Sequence, residues 1–531
     1  MANIVKEPCD EGIILAGRSS RQCAKAQGRW ILAATILASS MAFIDGTVVN
    51  VALPFLQRNF QATVIGVQWV IEAYSLFLAA LLLVGGSLGD RYGRRRIFLV
   101  GVSLFAVASA ACGLAGNIAE LILARAFQGI GGALLVPGSL AIISASFDPD
   151  QRGRAIGTWS GFSAITAAVG PVLGGWLIEH VSWRAVFFLN LPIAVAVLLI
   201  SLWHVPESRD ENARGTLDWP GAVLGTVGLS ALVYGLIELS RADFSRALVI
   251  TALASGVLVL VAFVLVEWRT RFPMLPLTLF RSSDFTGANL LTLFLYAALS
   301  GTMFFLTLNL VQVQGYSATE AGAAFLPFIL IMFALSRWSG GLVDHFGPRR
   351  PLIIGPIIAG AAFALFALQG LNGGYWLKVF PAVVILGLGM AISVAPLTTT
   401  VMGSVKREFA GVASGINNAV SRTAGLLAIA VLGAVFSHAF NSNLQWRLSR
   451  TTVSESARQE VFAQRIKLAG LELPGDLTAS QHEELKRVVA ESFVAGYRKL
   501  TIISACLALG SAVSSLLFIG RESTKSHQSK E

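Results

Sequence analysis

The stretch GSLGDRYGRRR, Gly86 to Arg96, recurs in altered form as GGLVDHFGPRR, Gly340 to Arg350. Each copy has a glycine, an aspartate four residues on, a second glycine three after that, and then a basic pair; the offset is 254 residues. Working outward, apolar runs long enough to cross a bilayer lie near 30–52, 66–87, 97–115, 119–143, 154–178 and 184–203. Two more lie near 219–239 and 246–267, and a last set near 286–311, 319–343, 351–370, 376–402, 409–438 and 498–519. The pattern is six, two and six. With the central pair set aside, each copy of the motif falls between the second and third runs of its set, so a duplicated six-helix bundle is expected.

Composition agrees. Of 531 residues, 55% are hydrophobic and 13% are charged, against about 25% charged in an ordinary soluble domain. The mean hydropathy of +0.69 leaves too little polar surface for a water-soluble globule. Fourteen helices of about 21 residues would use just over half the chain. The expected fold class is an all-α polytopic membrane protein: an N-terminal tail at 1–29, a six-helix bundle at 30–205, two extra helices with linkers at 206–285, a second six-helix bundle at 286–520 and a tail at 521–531. The first 29 residues are too long and too polar to begin a signal peptide, so the run from Trp30 is expected to remain as the first span.

The net charge of +10 would suggest nucleic-acid binding in a soluble protein. Here the basic residues sit in short runs between apolar stretches, and no nucleic-acid partner is expected. An even number of spans puts both tails on one side. The tails and the loops on their side then carry about 23 Lys and Arg, against about 5 in the short loops opposite. By the positive-inside rule both termini are expected in the cytoplasm. The one sizeable polar piece facing outward is 441–497, whose ASQHEELKRVVAESFVAG reads as a short amphipathic helix. A solvated hairpin is the plain expectation for it; docking a cell-envelope adaptor protein or shaping an exit path is the sharper one.

Charged residues within the runs are the candidates for chemistry. Asp45 in MAFIDGTVVNVALP costs several kcal/mol in hydrocarbon unless it is neutralised, paired or hydrated, so a proton-binding role is expected. Glu72 in QWVIEAYSL is a second candidate, at a depth where interfacial water is an alternative. Arg125 in LARAFQGIGGALLVP needs a partner or a wet cavity, with one of these carboxylates as the obvious choice and snorkelling to an interface as the other reading. Arg422 in SGINNAVSRTAG allows the same two readings. Glu238, at the end of the seventh run, reads as an interfacial anchor. The fifth run carries Gly170, Pro171, Gly174 and Gly175, which fits either tight packing or a pliable helix at a moving interface. In the repeated motif, Asp90 is placed to accept from a neighbouring helix N-terminus, and Arg94 to Arg96 are either a solvated charge run or part of a latch.

Several classes are excluded. No GxxxxGK[ST] loop occurs, the six histidines and four cysteines form no ligand cluster, and no GxSxG elbow appears. Neither an enzyme nor a cofactor is expected.

Together these stretches resemble the major facilitator superfamily, specifically its 14-span drug:proton antiporters. GSLGDRYGRRR is similar to that family's loop motif after span 2, IDGTVVNVALP to its span 1 signature, and LARAFQGIGGA to its span 4 motif. VGPVLGGWL resembles the span 5 motif of exporters, although Thr166 stands where the family usually has glycine, and WRAVFFLNLPI and LDWPGAVL also look like it. The resemblance implies two six-helix bundles plus two central helices in a bacterial inner membrane, exporting drugs or other lipophilic, cationic small molecules against protons. By it Asp45, Glu72 and Arg125 would couple the proton. Gly86, Asp90, Arg91, Gly93, Arg94, Asp344, Gly347 and Arg349 would form the cytoplasmic gating motif. Asn50, Gln128 and Arg422 are further candidates. A dedicated exporter of one endogenous metabolite, such as a secondary product or siderophore, is the alternative. A sensor built on this fold would be expected to have lost Asp45, Arg125 and Asp90, all of which are present.

Overall fold

The computed structural model describes residues 20–520 apart from 148, 210–217, 240–244, 272, 372–373, 406–409 and 476. Among them every regular element is helical, as a chain in hydrocarbon requires when each backbone N–H must find its acceptor within its own segment. We number the long helices α1 Ser20–Asn59, α2 Val64–Tyr92, α3 Arg94–Leu114, α4 Ile118–Ser146, α5 Pro149–His180, α6 Ala185–His204, α7 Trp219–Glu238 and α8 Arg246–Arg269. There follow α9 Ser283–Leu308, continued by a π turn Asn309–Val313, and α10, broken into Ala318–Ala323 and Leu326–Gly340. The last are α11 Arg349–Ala367, α12 Phe380–Gly403, α13 Ala410–Leu448 and α14 Ala479–Phe518. Thirteen helices are long and apolar enough to cross a membrane, and the 32-residue α5 has the length for a fourteenth.

The helix starts are written locally. Thr63 Oγ1 accepts from Gly66 N at the head of α2, Asp218 accepts from Gly221 N at the head of α7, and Ser317 with Glu320 forms a capping box on α10.

Packing repeats with the motif. In the first six helices α1 packs on α5 and α6, α2 on α4, and α3 on α4 and α6. In the last six α9 packs on α13 and α14, α10 on α12, and α11 on α12 and α14, which is the same set of pairings one half later. Gly93 and Gly347, equivalent under the 254-residue offset, both turn the chain at positive φ, 111° and 70°, where a side chain would be strained. The halves meet where α5 lies against α10 and α2 against α13. Helix α7 packs over the second of these seams and touches both α2 and α13, with Val233 and Ile237 buried against Leu76, Leu426 and Ala430. Helix α8 packs on α7, and only 11% of its apolar window is buried, so its surface is left for lipid.

Two expectations need correction. The stretch from Ala479 to Gly496 is not a separate short helix; it forms the first turns of α14, which runs unbroken to Phe518. Thr478 and Gln481 supply a capping box at its start, and no proline interrupts it afterwards. Likewise the run expected to end near 438 continues as helix to Leu448. These two helices therefore project together beyond the apolar zone, and the chain between them adds a helix at Glu455–Ala463 and a 3-10 turn at Arg465–Gly470.

Candidate functional site

Asp45 lies midway along α1 and is 1% exposed, as is Arg125 on α4. Arg125 Nη1 donates to Asp45 Oδ2 at 2.5 Å. The other carboxylate oxygen, Oδ1, accepts from Gln128 Nε2 at 2.8 Å and from Asn190 Nδ2 at 3.5 Å. One turn of α4 separates Arg125 from Gln128, so both point at the same carboxylate, and Gln128 Oε1 in turn accepts from Arg125 Nη1 at 2.7 Å. Arg125 Nε donates to the Val70 carbonyl of α2 at 3.1 Å, and its guanidinium carbon lies 4.2 Å from the centroid of the Tyr74 ring. Asn190 is held by Ser109: its Nδ2 donates to Ser109 Oγ at 3.0 Å, and Ser109 Oγ donates to the Phe187 carbonyl at 2.8 Å. Five helices of the first half, α1, α2, α3, α4 and α6, thus converge on one buried ion pair. A pair so deep persists only when the remaining lone pairs and N–H groups are also satisfied, and here they are shared among Gln128, Asn190 and Val70.

The other candidates are dispersed. Glu72 is fully buried on α2, and neither of its oxygens has a hydrogen-bond partner among the described residues. The expectation that interfacial water reaches it does not fit that burial. Arg422 on α13 is half-buried and close enough to Tyr74 for electrostatic interaction, so Tyr74 lies near an arginine of each half. Asn50 does not join the cluster: its Nδ2 donates to Gly46 of its own helix at 2.9 Å.

At the end of the bundle near the chain termini, Asp90 Oδ1 accepts from Arg94 Nε at 2.8 Å. The expectation that Asp90 caps a neighbouring helix is corrected: Glu207 does so, accepting from Arg95 N at 3.0 Å and Arg96 N at 3.2 Å at the head of α3. Arg95 Nη1 donates to the Val205 carbonyl just past α6 at 3.0 Å, and Arg349, its equivalent under the 254-residue offset, donates from Nη2 to the Leu516 carbonyl of α14 at 2.5 Å. Each half therefore ties the start of its third helix to the end of its sixth. Arg91 leans over the ring of Tyr92 at 5.7 Å, and Gly86 packs beside Pro137. The side chain of Asp344 lies outside the described residues.

From mid-depth toward the opposite end, Gly170 and Gly174 of α5 face Thr47 and Val48 of α1. A Cβ on Gly175 would meet the Ala318 carbonyl of α10, and one on Gly322 of α10 would meet the carbonyl of Pro171. These backbones touch because glycine stands at both contacts. Thr319 Oγ1 donates to Glu179 Oε2 at 2.6 Å beside them.

Sequence reading missed Asn190, Tyr74, Ser109 and Glu207. A lone asparagine inside the apolar LNLPI was a usable signal, because an amide in hydrocarbon needs partners; nothing local distinguished Tyr74. Among the described residues no three His, Cys, Asp or Glu side chains gather as a metal site.

Residues 35–448 match the Major Facilitator Superfamily. The Tetracenomycin C resistance and export protein of Streptomyces glaucescens is 33% identical over 491 residues, covering 91% of this chain and 90% of that protein. Multidrug resistance protein Stp of Mycobacterium tuberculosis is 35% identical over 487 residues, covering 90% of each. A solved bacterial homolog of the human lysosomal transporter Spinster, 18% identical, superposes with a TM-score of 0.62 over 92% of this chain and 98% of that one. The twice-used helix pairing, the motif repeated at the same turn in both halves, and relatives a third identical along nine-tenths of the chain have one reading: this is a transport protein, not an enzyme, and it belongs to the Major Facilitator Superfamily.

Proposed function

We propose that the chain is an antiporter that exports lipophilic, cationic compounds across a bacterial cytoplasmic membrane in exchange for protons, with both termini in the cytoplasm. The observation that carries this reading is the buried Asp45–Arg125 pair. A carboxylate in hydrocarbon binds a cation or a proton in preference to standing alone. A proton arriving at Asp45 takes its charge away from Arg125 and leaves Gln128, Val70 and Tyr74 to hold the guanidinium. Helix α1, which carries Asp45, also carries Thr47 and Val48 against α5, and α5 is the face that meets α10 of the other half. A change of charge at Asp45 thereby has a packed route to the seam along which two six-helix halves, 30–205 and 286–520, would rock. Glu72 would serve as a second protonatable group. The motifs at Asp90 to Arg94 and at Asp344 to Arg349 would latch the cytoplasmic side. The Lys and Arg census supports the orientation.

The energy suffices. A proton crossing about 150 to 200 mV releases roughly 4 kcal/mol at about 2.3 kcal/mol per 100 mV, which sustains roughly a thousandfold gradient of a neutral solute.

The second reading is export of one endogenous metabolite, favoured by the tetracenomycin C export protein among the relatives. The deciding experiment follows fluorescent cationic and neutral dyes in energised vesicles, wild type beside Asp45→Asn, with and without a protonophore. Broad extrusion that collapses under both treatments is expected. Folded, inserted protein that moves no dye would turn the choice to a single metabolite.

A further inference from the structure

Between α13 and α14 the 3-10 turn Arg465–Gly470 does not lie free over the bundle. It touches α1 and α2 of the first half, and α13, α14 and the π turn Asn309–Val313 of the second. Gln57, 4% exposed at the end of α1, donates from Nε2 to the Lys467 carbonyl at 2.9 Å and accepts at Oε1 from Gln312 Nε2 at 2.8 Å. One side chain therefore ties the first half, the second half and the turn. Lys467 Nζ donates to Gln61 Oε1 at 3.3 Å. Leu468 is 2% exposed and belongs to the large apolar core shared by both halves.

The backbone singles out the same contact. Among the described residues two non-glycine positions have positive φ, Gln61 at 48° and Leu468 at 55°. The first is the residue that Lys467 grasps, and the second follows Lys467 in the chain. Strained conformations persist where the surroundings over-determine them, and they gather at clamps and switches. Here the strain on both sides of one contact is held by a seat built from both halves.

We infer that Arg465–Gly470 is a plug, seated across the junction of the two halves at the end opposite the chain termini, and that it must withdraw before solute leaves there. That solute leaves at this end rests on the export reading; the seating of the plug does not. When the halves part, Gln57 and Gln312 separate, Leu468 loses its apolar seat, and the strained turn is free to relax away from the mouth.

The test uses the full chain in liposomes. A cysteine reporter, Val311→Cys, sits in the π turn that the plug touches, is 6% exposed and leaves the Gln57 tie intact. It is exposed to a membrane-impermeant maleimide on the side of the 441–497 loop, beside Gln459→Cys on the neighbouring exposed helix and a wild-type control for the native cysteines. Labelling at residue 311 is expected to be slower than at 459 by about tenfold or more, and Leu468→Asp, which places a charge in the apolar seat, should bring it close to the exposed rate. A short reducible thiol cross-linker joining Gln61→Cys to Lys467→Cys should halt dye export, and reductant should restore it. Equal labelling at 311 and 459, or undiminished export by the cross-linked protein, overturns the plug. Protection at 311 that Leu468→Asp relieves, in a protein that moves no dye even when reduced, keeps the plug and sinks the multidrug reading instead.

Discussion

At Asp45 the charge is stable only because three groups, Arg125, Gln128 and Asn190, share it, and the consequences of removing each partner differ in size. Arg125→Ala leaves a carboxylate buried without its cation, a loss that costs about 3 to 5 kcal/mol when one member of a buried pair is deleted. A large fall in the thermal unfolding temperature in detergent is expected, and Asp45→Asn combined with Arg125→Gln should recover most of it. A double variant as unstable as Arg125→Ala alone would mean that the pair does not dominate this site. Asn190→Leu removes a long hydrogen bond of 3.5 Å to Asp45 and one of 3.0 Å to Ser109, whose hydroxyl keeps its bond to the Phe187 carbonyl, so about 1 kcal/mol is expected from it, with export slowed rather than abolished. Asp45 and Arg125 were legible in the sequence because formal charge in an apolar run demands an explanation, whereas Gln128 entered only through the likeness of LARAFQGIGGA to the span 4 motif. Tyr74 was not, because its part depends on α2 crossing α4 at the level of Arg125, a tertiary fact with no local trace.

Helices carry these groups, and their contacts make separate predictions. Where α5 meets α10, Gly175→Ala would put a methyl group against the Ala318 carbonyl, and backbone cannot yield as a flexible side chain can. The halves should fail to close at that end. Export is expected to drop by about tenfold or more with the protein still folded, since overpacking of this kind costs about 1 to 3 kcal/mol; wild-type export by Gly175→Ala would show that this approach is not needed in the cycle. At the other end Arg95→Ala and Arg349→Ala each free a helix terminus, and each should lower stability by about 1.5 kcal/mol. Similar unfolding shifts for the two would support their equivalence. The repeated motif was readable as a repeat, but the roles within it were not: Asp90 at the end of α2 binds the Arg94 side chain, while Glu207, beyond α6, caps α3. Helix ends projecting past the apolar zone were missed for a related reason, since α13 and α14 continue through polar residues that hydropathy counts as loop.

Taken whole, the molecule is two copies of one six-helix packing scheme with α7 and α8 added, and physics assigns the added pair a modest share of stability. Helix α7 buries Val233 and Ile237 on α2 and α13, yet lipid tails would cover the same side chains almost as well, because hydrocarbon supplies no hydrophobic drive between helices. Deleting 219–269 removes two crossings and so preserves the sidedness of everything after it. The shortened chain is expected to insert, to run as a single species on gel filtration, and to melt within about 5 °C of the full protein. Transport should change more than stability does. Helix α7 touches α2 and α13, one from each half, so it either slides on one of them or bends whenever the halves rock, and its removal alters the barrier to that motion. An altered export rate with a nearly unchanged melting temperature is the expected result. Failure to recover folded protein would show instead that α7 is part of what holds the two halves together.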